Sequence, residues 1–184
     1  MSARPLIPWN TPESWARANE RLRTALADAA PRLTSIRIEV DRLWAEMVAM
    51  AEHQQRLAAA TCPWCPLPCC QVATIWFDRC DLVLSHLTGL PKPPGQPRID
   101  PNLPCGYLGS RGCRLPRLHR PWICTRYLCA TQRLRLRGNL RRGEVFDLQT
   151  TVARLTVWRR SLTAAAMAVI GSQWEGLDEK MTGI

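Results

Sequence analysis

The chain has 184 residues, an apolar content of 46% and a formal net charge of +10, which together are typical of a basic globular domain. No uncharged apolar run approaches the ~18 residues that a membrane-spanning helix needs, and the first ten residues lack the apolar core of a signal peptide. These observations exclude a membrane partner and predict a cytoplasmic protein whose thiols stay reduced.

Two helices are predicted before the first cysteine. Thr11-Pro12-Glu13 combines a capping hydroxyl, a first-turn proline and an acid, so a helix should run from there to about Ala30. Pro31 interrupts it, and a second helix is predicted over 33–60. Its apolar residues recur at heptad-like spacing: Ile36, Val40, Leu43, Met47, Met50 and Leu57. We expect this stripe to pack on another helix of the chain; the alternative is a homodimer or another protein partner.

The segment that holds the first cysteines contains three prolines and should stop the second helix. Pro68 suits the first turn of a new helix, which would place Cys69 and Cys70 at its N-terminus and continue from Gln71 to about Leu87. The ninth cysteine, Cys80, lies inside that helix and is interpreted as a buried apolar side chain. Six prolines between positions 91 and 104 then predict an irregular crossover.

The region after the crossover should be rich in turns and end in a long helix. Arg120-Pro121 is expected to open a short helix that carries Cys124. The alternation Arg133-Leu-Arg-Leu-Arg137 suggests a strand, with Gly138-Asn139 as a turn. A last helix is predicted over 146–174, followed by a frayed tail.

These elements predict a mainly α fold, in which long helices form a scaffold around an irregular, loop-rich cysteine module. We expect three consecutive parts. Residues 1–60 form an N-terminal helical segment of two helices, residues 61–143 form the metal-binding module, and residues 144–184 form a C-terminal helix that packs on the N-terminal helices.

Eight of the nine cysteines fall in two groups of four, one on each side of the crossover. Short spacings such as Cys-x-x-Cys supply pairs of thiolates on one turn, and a distant pair completes a tetrahedral metal or cubane site. In a reducing compartment such clusters more often bind metal than form disulfides. The predicted metal ligands are Cys62, Cys65, Cys69, Cys70, Cys105, Cys113, Cys124 and Cys129. His119, which lies within the second group, is interpreted as a solvated side chain.

Several neighbours of these cysteines form a wider pattern. It consists of Cys62-x2-Cys65-x3-Cys69-Cys70, then Cys105-x2-Leu108, Gly112-Cys113 and Arg120-Pro121-x2-Cys124-x4-Cys129, with Tyr127 between the last two cysteines. The pattern covers a little over a third of the chain and resembles the YkgJ-like cysteine-cluster proteins. That family is described as zinc- or iron-chelating, so the resemblance implies a zinc or iron–sulfur site on the same eight cysteines. It implies little about activity.

An all-cysteine ligand set suits both zinc and iron–sulfur clusters. Zinc favours two regular Cys-x2-Cys knuckles, and this chain has one, at Cys62 and Cys65. The irregular spacing of the others therefore favours a [4Fe–4S] cluster, with Zn²⁺ as the alternative. The sequence contains no Gly-rich nucleotide loop and no general-base constellation, which favours a redox or structural role over an enzymatic one.

All of the excess positive charge lies in and after the second cysteine group, where positions 101–143 hold ten arginines and no Asp or Glu. Metal–thiolate centres are anionic, so Arg114, Arg120 and Arg126 are predicted to lie beside the site and compensate its charge. Beyond the last cysteine, an exposed patch is predicted on Arg133, Arg135, Arg137, Arg141 and Arg142. A zinc-stabilised module that binds nucleic acid or an acidic protein through this patch is the alternative function. Trp64 and Trp122, which adjoin cysteines, are expected to shield the site.

Overall fold

The computed structural model describes residues 7–66, 69–91, 93–97, 103–110, 112–140 and 147–171. It is 71% helical, and its strands form a sheet of two short strands, so the predicted mainly α fold is confirmed. Within the described ranges, no helix is long and apolar enough to cross a membrane.

The first two helices lie where the sequence predicts them. Helix α1 spans Pro12–Asp28 and begins with a capping box between Thr11 and Ser14. Pro31 lies in a short 3-10 helix, and α2 then runs over Thr34–Thr61. The 28 residues of α2 span about 42 Å at the usual helical rise. This length carries α2 from the core to the first cysteine.

The core lies where α1, α2, α4 (Arg79–Leu87) and α7 (Leu148–Ile170) pack together. The predicted stripe of α2 faces this core: Val40, Leu43, Met50 and Leu57 are buried, and Ile36 and Met47 pack against them. The apolar face of α7 is buried in the same way, through Leu148, Leu155, Leu162 and Ala166. The core contains residues from all three predicted parts of the chain. The division of the chain into these three parts stays a prediction.

The single helix predicted after Cys70 is wrong, because the chain breaks it in two. Helix α3 ends after one turn, Cys69–Val72, and α4 begins only at Arg79. Between them, Phe77 N donates to the side chain of Gln96 at 2.8 Å, so this backbone bonds to the crossover rather than to a preceding turn. Asp78 then caps α4 by accepting a hydrogen bond from Asp81 N at 2.8 Å. The Phe77–Gln96 hydrogen bond and the Asp78 cap together override the helical pattern of the sequence.

The crossover is irregular in its described part, as predicted, and two contacts tie it to the core. Trp15 Nε1 donates to Pro93 O at 3.0 Å. The buried amide of Gln96 donates to Pro8 O at 2.8 Å and to Phe77 O at 3.1 Å. Gly106 N then donates to Pro97 O at 2.7 Å, which fixes the start of the second cysteine group.

The second cysteine group is built from short elements. Strands β1 (Leu108–Gly109) and β2 (Gly112–Cys113) form an antiparallel pair, and α5 spans Trp122–Arg126. The short helix predicted after Arg120-Pro121 is therefore confirmed. The last helix, α7, is also confirmed, although Phe146 and the tail from 175 lie outside the described residues.

The strand predicted at Arg133–Arg137 is wrong. These residues lie in helix α6, Ala130–Leu140, which continues through Gly138 and Asn139 where a turn was expected. Five residues of alternating arginine and leucine fit either structure, and tertiary contacts decide between them. Leu136 packs against the core, and Gln132 N donates to Cys129 Sγ at 3.4 Å in the first turn of α6.

Candidate metal centre

The first cysteine group follows directly from the end of α2. Cys62 is the next residue after the helix, and Cys65 N donates to Cys62 O at 3.2 Å, which closes a tight turn around the Cys-x-x-Cys pair. Cys69 and Cys70 form the start of α3. All nine cysteines of the chain are free thiols.

The two cysteine groups adjoin in space although the crossover separates them in sequence. Cys105 N donates to Cys70 O at 2.9 Å. Gly112 lies against Cys62, since a Cβ added to this glycine would be 3.9 Å from Cys62 Cβ. Gly112 also has a φ of +103°, a conformation that side chains disfavour, and it directly precedes Cys113. The backbone therefore holds residues of both groups together.

The thiols act on one another electrostatically. Burial raises the pKa of Cys124, and Cys113, Cys105 and Cys69 raise it further. The pKa of Cys70 is raised by its hydrogen bond to Cys69 and by burial, while the same hydrogen bond lowers the pKa of Cys69 to about 6. Mutual repulsion of this kind marks a site where several thiolates cannot be buried together without a compensating cation.

Cys62 and Cys129 extend the cluster towards α6. Burial raises the pKa of Cys62, and Cys69 and Cys129 contribute to the shift. Gln132 links the two sulfurs, because its backbone N–H donates to Cys129 Sγ at 3.4 Å and its amide nitrogen lies 3.8 Å from Cys62 Sγ. The same amide nitrogen lies 3.4 Å from Thr61 Oγ1. The N-terminus of α6 therefore meets the C-terminus of α2 at these sulfurs.

The thiols adjoin without forming a completed coordination sphere. In the part of the chain that the structure describes, which includes all nine cysteines, no group of three or more His, Cys, Asp or Glu side chains is arranged to hold a metal ion. The fold thus brings the predicted ligands into one region, but their sulfur atoms do not converge on a common point.

Arg117 is a half-buried cation beside the thiols, and the sequence prediction missed it. Burial lowers the pKa of Arg117 to about 10 and Arg120 lowers it further, while Cys62, Cys113 and Cys124 act in the opposite direction. Its Nη2 donates to Gln54 O at 3.4 Å, but its Nε is buried with no hydrogen-bond partner among the described residues. Nothing in the local sequence distinguishes it from the neighbouring arginines.

The three arginines predicted beside the site differ in their contacts, and their role in compensating its charge stays a prediction. Arg120 Nε donates to Leu115 O at 2.9 Å, and its Nη2 lies 3.5 Å from Cys113 O. Arg114 is exposed and donates to Gly106 O at 2.7 Å. Both therefore hold the backbone of the cysteine loops. Arg126 is exposed and lines a groove beside α7.

Helix α6 divides the predicted arginine patch. Arg133, Arg135 and Arg137 are all exposed. At about 100° per residue, Arg133 and Arg137 share one face of the helix and Arg135 lies nearly opposite. A strand would have placed all three on one face. Arg141 and Arg142 lie outside the described residues.

The two tryptophans next to cysteines differ from each other. Trp64 is 83% exposed and covers nothing, so its predicted shielding role is wrong. Trp122 is 4% exposed, and its Nε1 donates to Thr156 Oγ1 of α7 at 3.1 Å. It anchors the helix of Cys124 to the scaffold. His119, predicted to be solvated, is half-buried instead and lines a cavity of about 60 Å³ next to the core.

A buried ion pair provides a second anchor for the same helix. Asp81 Oδ1 accepts hydrogen bonds from Trp122 N at 3.0 Å and from Arg159 Nη2 at 2.5 Å. The Arg159 guanidinium also lies 4.6 Å from the centre of the Trp122 ring. Burial raises the pKa of Asp81 to about 7 although Arg159 and two backbone N–H groups favour its charged form. The sequence offered no signal for this pair, whose members are far apart in the chain.

Helix α2 also supports the cysteine region, through a contact with α5. The buried side chain of Gln54 donates to Thr125 O, the carbonyl of the residue after Cys124. Cys80 lies in α4 as predicted, where it is half-buried and burial raises the pKa of its thiol.

Comparisons with protein-family models, with curated proteins and with solved structures gave no match.

Proposed function

We propose that the chain is a metal–thiolate protein whose eight predicted ligand cysteines carry [4Fe–4S] iron–sulfur, at four thiolates per cluster, with a redox or structural role. Arg117 carries the proposal. A half-buried guanidinium beside thiols of both cysteine groups, whose buried Nε–H has no acceptor among the described residues, is suited to an anion bound there. A cluster bound by thiolates is such an anion, because four thiolates leave it with about two negative charges.

The other groups at the site suit the same proposal. Gln132 aims N–H groups at Cys129 Sγ and Cys62 Sγ, and hydrogen bonds to sulfur are one way in which a protein sets the potential of an iron–sulfur cluster. The resemblance to the YkgJ-like proteins supports the same ligand set. When bound, the cluster would supply one-electron chemistry; the chain's residues would hold it, compensate its charge and limit its contact with water.

Metal loading would also relieve the repulsion among the thiols. Cys62, Cys70 and Cys124 have raised pKa values, so they are protonated in the metal-free protein at neutral pH. Binding a metal displaces those protons, which makes loading dependent on pH. In this proposal the metal gathers sulfur atoms that the fold has already brought into one region. A cytoplasmic setting, in which the thiols stay reduced, belongs to the proposal as well.

Anaerobic purification followed by an absorption spectrum and analysis of iron, sulfide and zinc tests the proposal. We expect absorbance near 400 nm with stoichiometric iron and sulfide. A colourless protein with stoichiometric zinc would replace the cluster with the zinc alternative. A protein that binds neither metal, after reconstitution under reducing conditions, would refute both versions.

Two cysteine variants distinguish a predicted ligand from the one cysteine that is not predicted to bind metal. Cys124→Ser removes a predicted ligand, and we expect it to lose most of the bound metal. Cys80→Ser is the matched control, because Cys80 lies in α4, outside both cysteine groups. Equal metal content in the two variants would argue against the proposed ligand set. If Cys124→Ser also unfolds, the metal has a structural role.

A further inference from the structure

An open groove of about 730 Å³ lies between α5 and α7, beside the start of α6. Ile123, Leu128 and Val152 contribute apolar surface to it, and all three are half-buried. Arg126 and Arg133 also line the groove, and both are exposed. The groove therefore combines an apolar floor with a basic rim.

The groove is open rather than enclosed. None of its lining residues is buried, and Tyr127 is 54% exposed. Small-molecule sites bury most of their ligand, so this shape suits a segment of another protein better. Two more exposed apolar side chains continue the surface: Leu134, 71% exposed, follows Arg133 on α6, and Val157, 65% exposed, lies one turn after Ala153 on α7.

The charge of the groove has one sign. Its described lining contains no Asp or Glu, and positions 101–143, which supply α5 and α6, contain none either. On α7 the nearest acid is the capping residue Asp147, whose carboxylate accepts hydrogen bonds from Gln149 N and Thr150 N. A smaller adjoining cavity contains Asp78 together with Arg160, and Asp78 caps α4.

From the apolar floor and the basic rim, we infer that this groove is a docking site for an acidic, partly apolar segment of a partner protein. Arg126 and Arg133 would pair with carboxylates at the rim, and Tyr127 with its apolar neighbours would contact the partner's apolar side chains. Single-stranded nucleic acid fits less well, because it needs a series of aromatic platforms and the described lining offers one, Tyr127. Four lining residues, Ile123, Arg126, Tyr127 and Leu128, lie next to or between Cys124 and Cys129, so the inference rests in part on the proposed metal centre and docking is tested with the metal bound.

Fluorescence anisotropy with a labelled peptide tests the site on the full-length, metal-loaded protein. The probe carries glutamates and leucines at helical spacing, and a peptide with lysine at the glutamate positions serves as its control. We expect binding of the acidic peptide only, weakening as salt rises. Arg126→Glu/Arg133→Glu should weaken it by about tenfold or more. The matched control, Arg17→Glu/Arg32→Glu, changes the same charge at exposed positions on the first helices and should bind like the wild type.

Tyr127→Ala keeps the charge of the groove and provides a second test. We expect it to weaken binding several-fold without changing the dependence on salt, because it removes apolar contact alone. Absence of peptide binding, or equal binding by the groove and control variants, would overturn the inference. Tighter binding of single-stranded oligothymidylate than of the peptide, lost in the groove variant, would assign the groove to nucleic acid instead.

Discussion

At the scale of single residues, a guanidinium with an unpartnered Nε–H raises the free energy of the metal-free fold. Arg117 carries that cost beside Cys62, Cys113 and Cys124, and an anionic cluster would remove it. Arg117→Gln should therefore retain less metal than the wild type. If the cluster is redox-active, its midpoint potential should also become more negative by about 60 mV, which is a tenfold effect for one electron.

The control for that variant is Arg114→Gln, because Arg114 is exposed and bonds to Gly106 O rather than lying among the thiols. We expect its metal content and potential to match those of the wild type. Metal analysis and a redox titration provide both values. Equal potentials in Arg117→Gln and the wild type would show that the guanidinium does not act on the cluster.

Cys69 and Cys70 should differ in reactivity although they are adjacent. The hydrogen bond from the Cys70 thiol lowers the pKa of Cys69 to about 6, and burial raises that of Cys124. In the reduced, metal-free protein, alkylation of Cys69 by iodoacetamide should reach half its maximal rate near pH 6, while Cys124 reacts slowly at neutral pH. Peptide mapping by mass spectrometry follows each site. A midpoint for Cys69 near the usual thiol value would contradict the prediction.

Cysteine spacing was a better guide to the site than the residues around it. The order of the cysteines in the sequence was enough to predict that the two distant groups would adjoin. That prediction requires only that the backbones of the two groups lie close together. The identity of the buried cation depends on which side chain the fold turns inward, and ten arginines in one stretch look alike in sequence. Arg117 was missed for this reason. Trp64 was predicted to shield the site, but its side chain is exposed.

At the scale of elements, two glycines in open space test whether α6 is a helix. Gly138 lies within α6, where a Cβ would meet nothing within 4 Å, and Gly89 has a φ of +69° with equally open surroundings. Gly138→Ala should raise the free energy of unfolding by about 0.5–1 kcal/mol. Gly89→Ala should lower it by about 1–2 kcal/mol, because only the backbone conformation is penalised. Urea denaturation measures both, and a destabilising Gly138→Ala would favour the turn.

The Asp81–Arg159 pair joins α4, α5 and α7, and its removal should show a dependence on pH. The pKa of Asp81 in the folded protein, about 7, lies above the ordinary value near 4. Its contribution to the free energy of unfolding is therefore complete below about pH 4 and is lost as pH rises through about 7. Arg159→Met leaves the carboxylate unpaired and should cost about 3–5 kcal/mol at pH 8, and less at pH 5.

The double variant Asp81→Asn/Arg159→Met is the control for this effect. An amide oxygen at position 81 still accepts the bond from Trp122 N but does not titrate. We expect the double variant to be more stable than Arg159→Met at pH 8 and to lose the difference between the two pH values. Thermal unfolding of the metal-free proteins measures this, and an identical pH profile for both variants would rule out Asp81 as its source.

Long helices could be read from the sequence, whereas among the short ones only α5 was predicted correctly. The ends of α1, α2 and α7 follow from caps, prolines and repeating apolar residues, which are local signals. The break between α3 and α4 depends on Gln96, which lies far along the chain and accepts from Phe77 N. Helix α6 depends likewise on the packing of Leu136. Contacts of this kind have no local signature, so the break between α3 and α4 and the helix α6 were predicted wrongly.

At the scale of the whole molecule, the scaffold and the cysteine region should respond differently to loss of metal. Within the described central core cluster, Trp122 is the one buried member that positions 105–140 supply; Cys105, Pro121 and Thr125 are buried outside that cluster. Removal of metal by a chelator should therefore leave most of the helical circular dichroism, which α1, α2 and α7 dominate. Limited proteolysis should then cut between 104 and 129 faster than in the loaded protein. A cooperative loss of all helical signal would show instead that the metal holds the entire fold together.

The packing of α7 on α2 determines when this core can close during synthesis. Helix α2 leaves the ribosome first, with the apolar stripe that α7 later covers still open to solvent. All eight predicted ligands precede α7 in the chain, so every one of them has been made before the last long helix begins. At about 5–20 residues per second, the nascent chain exposes its first thiols for several seconds before that helix arrives. Reducing conditions around the ribosome therefore matter before the protein is finished, because an early disulfide would fix the cysteines in pairs that the native scaffold does not use.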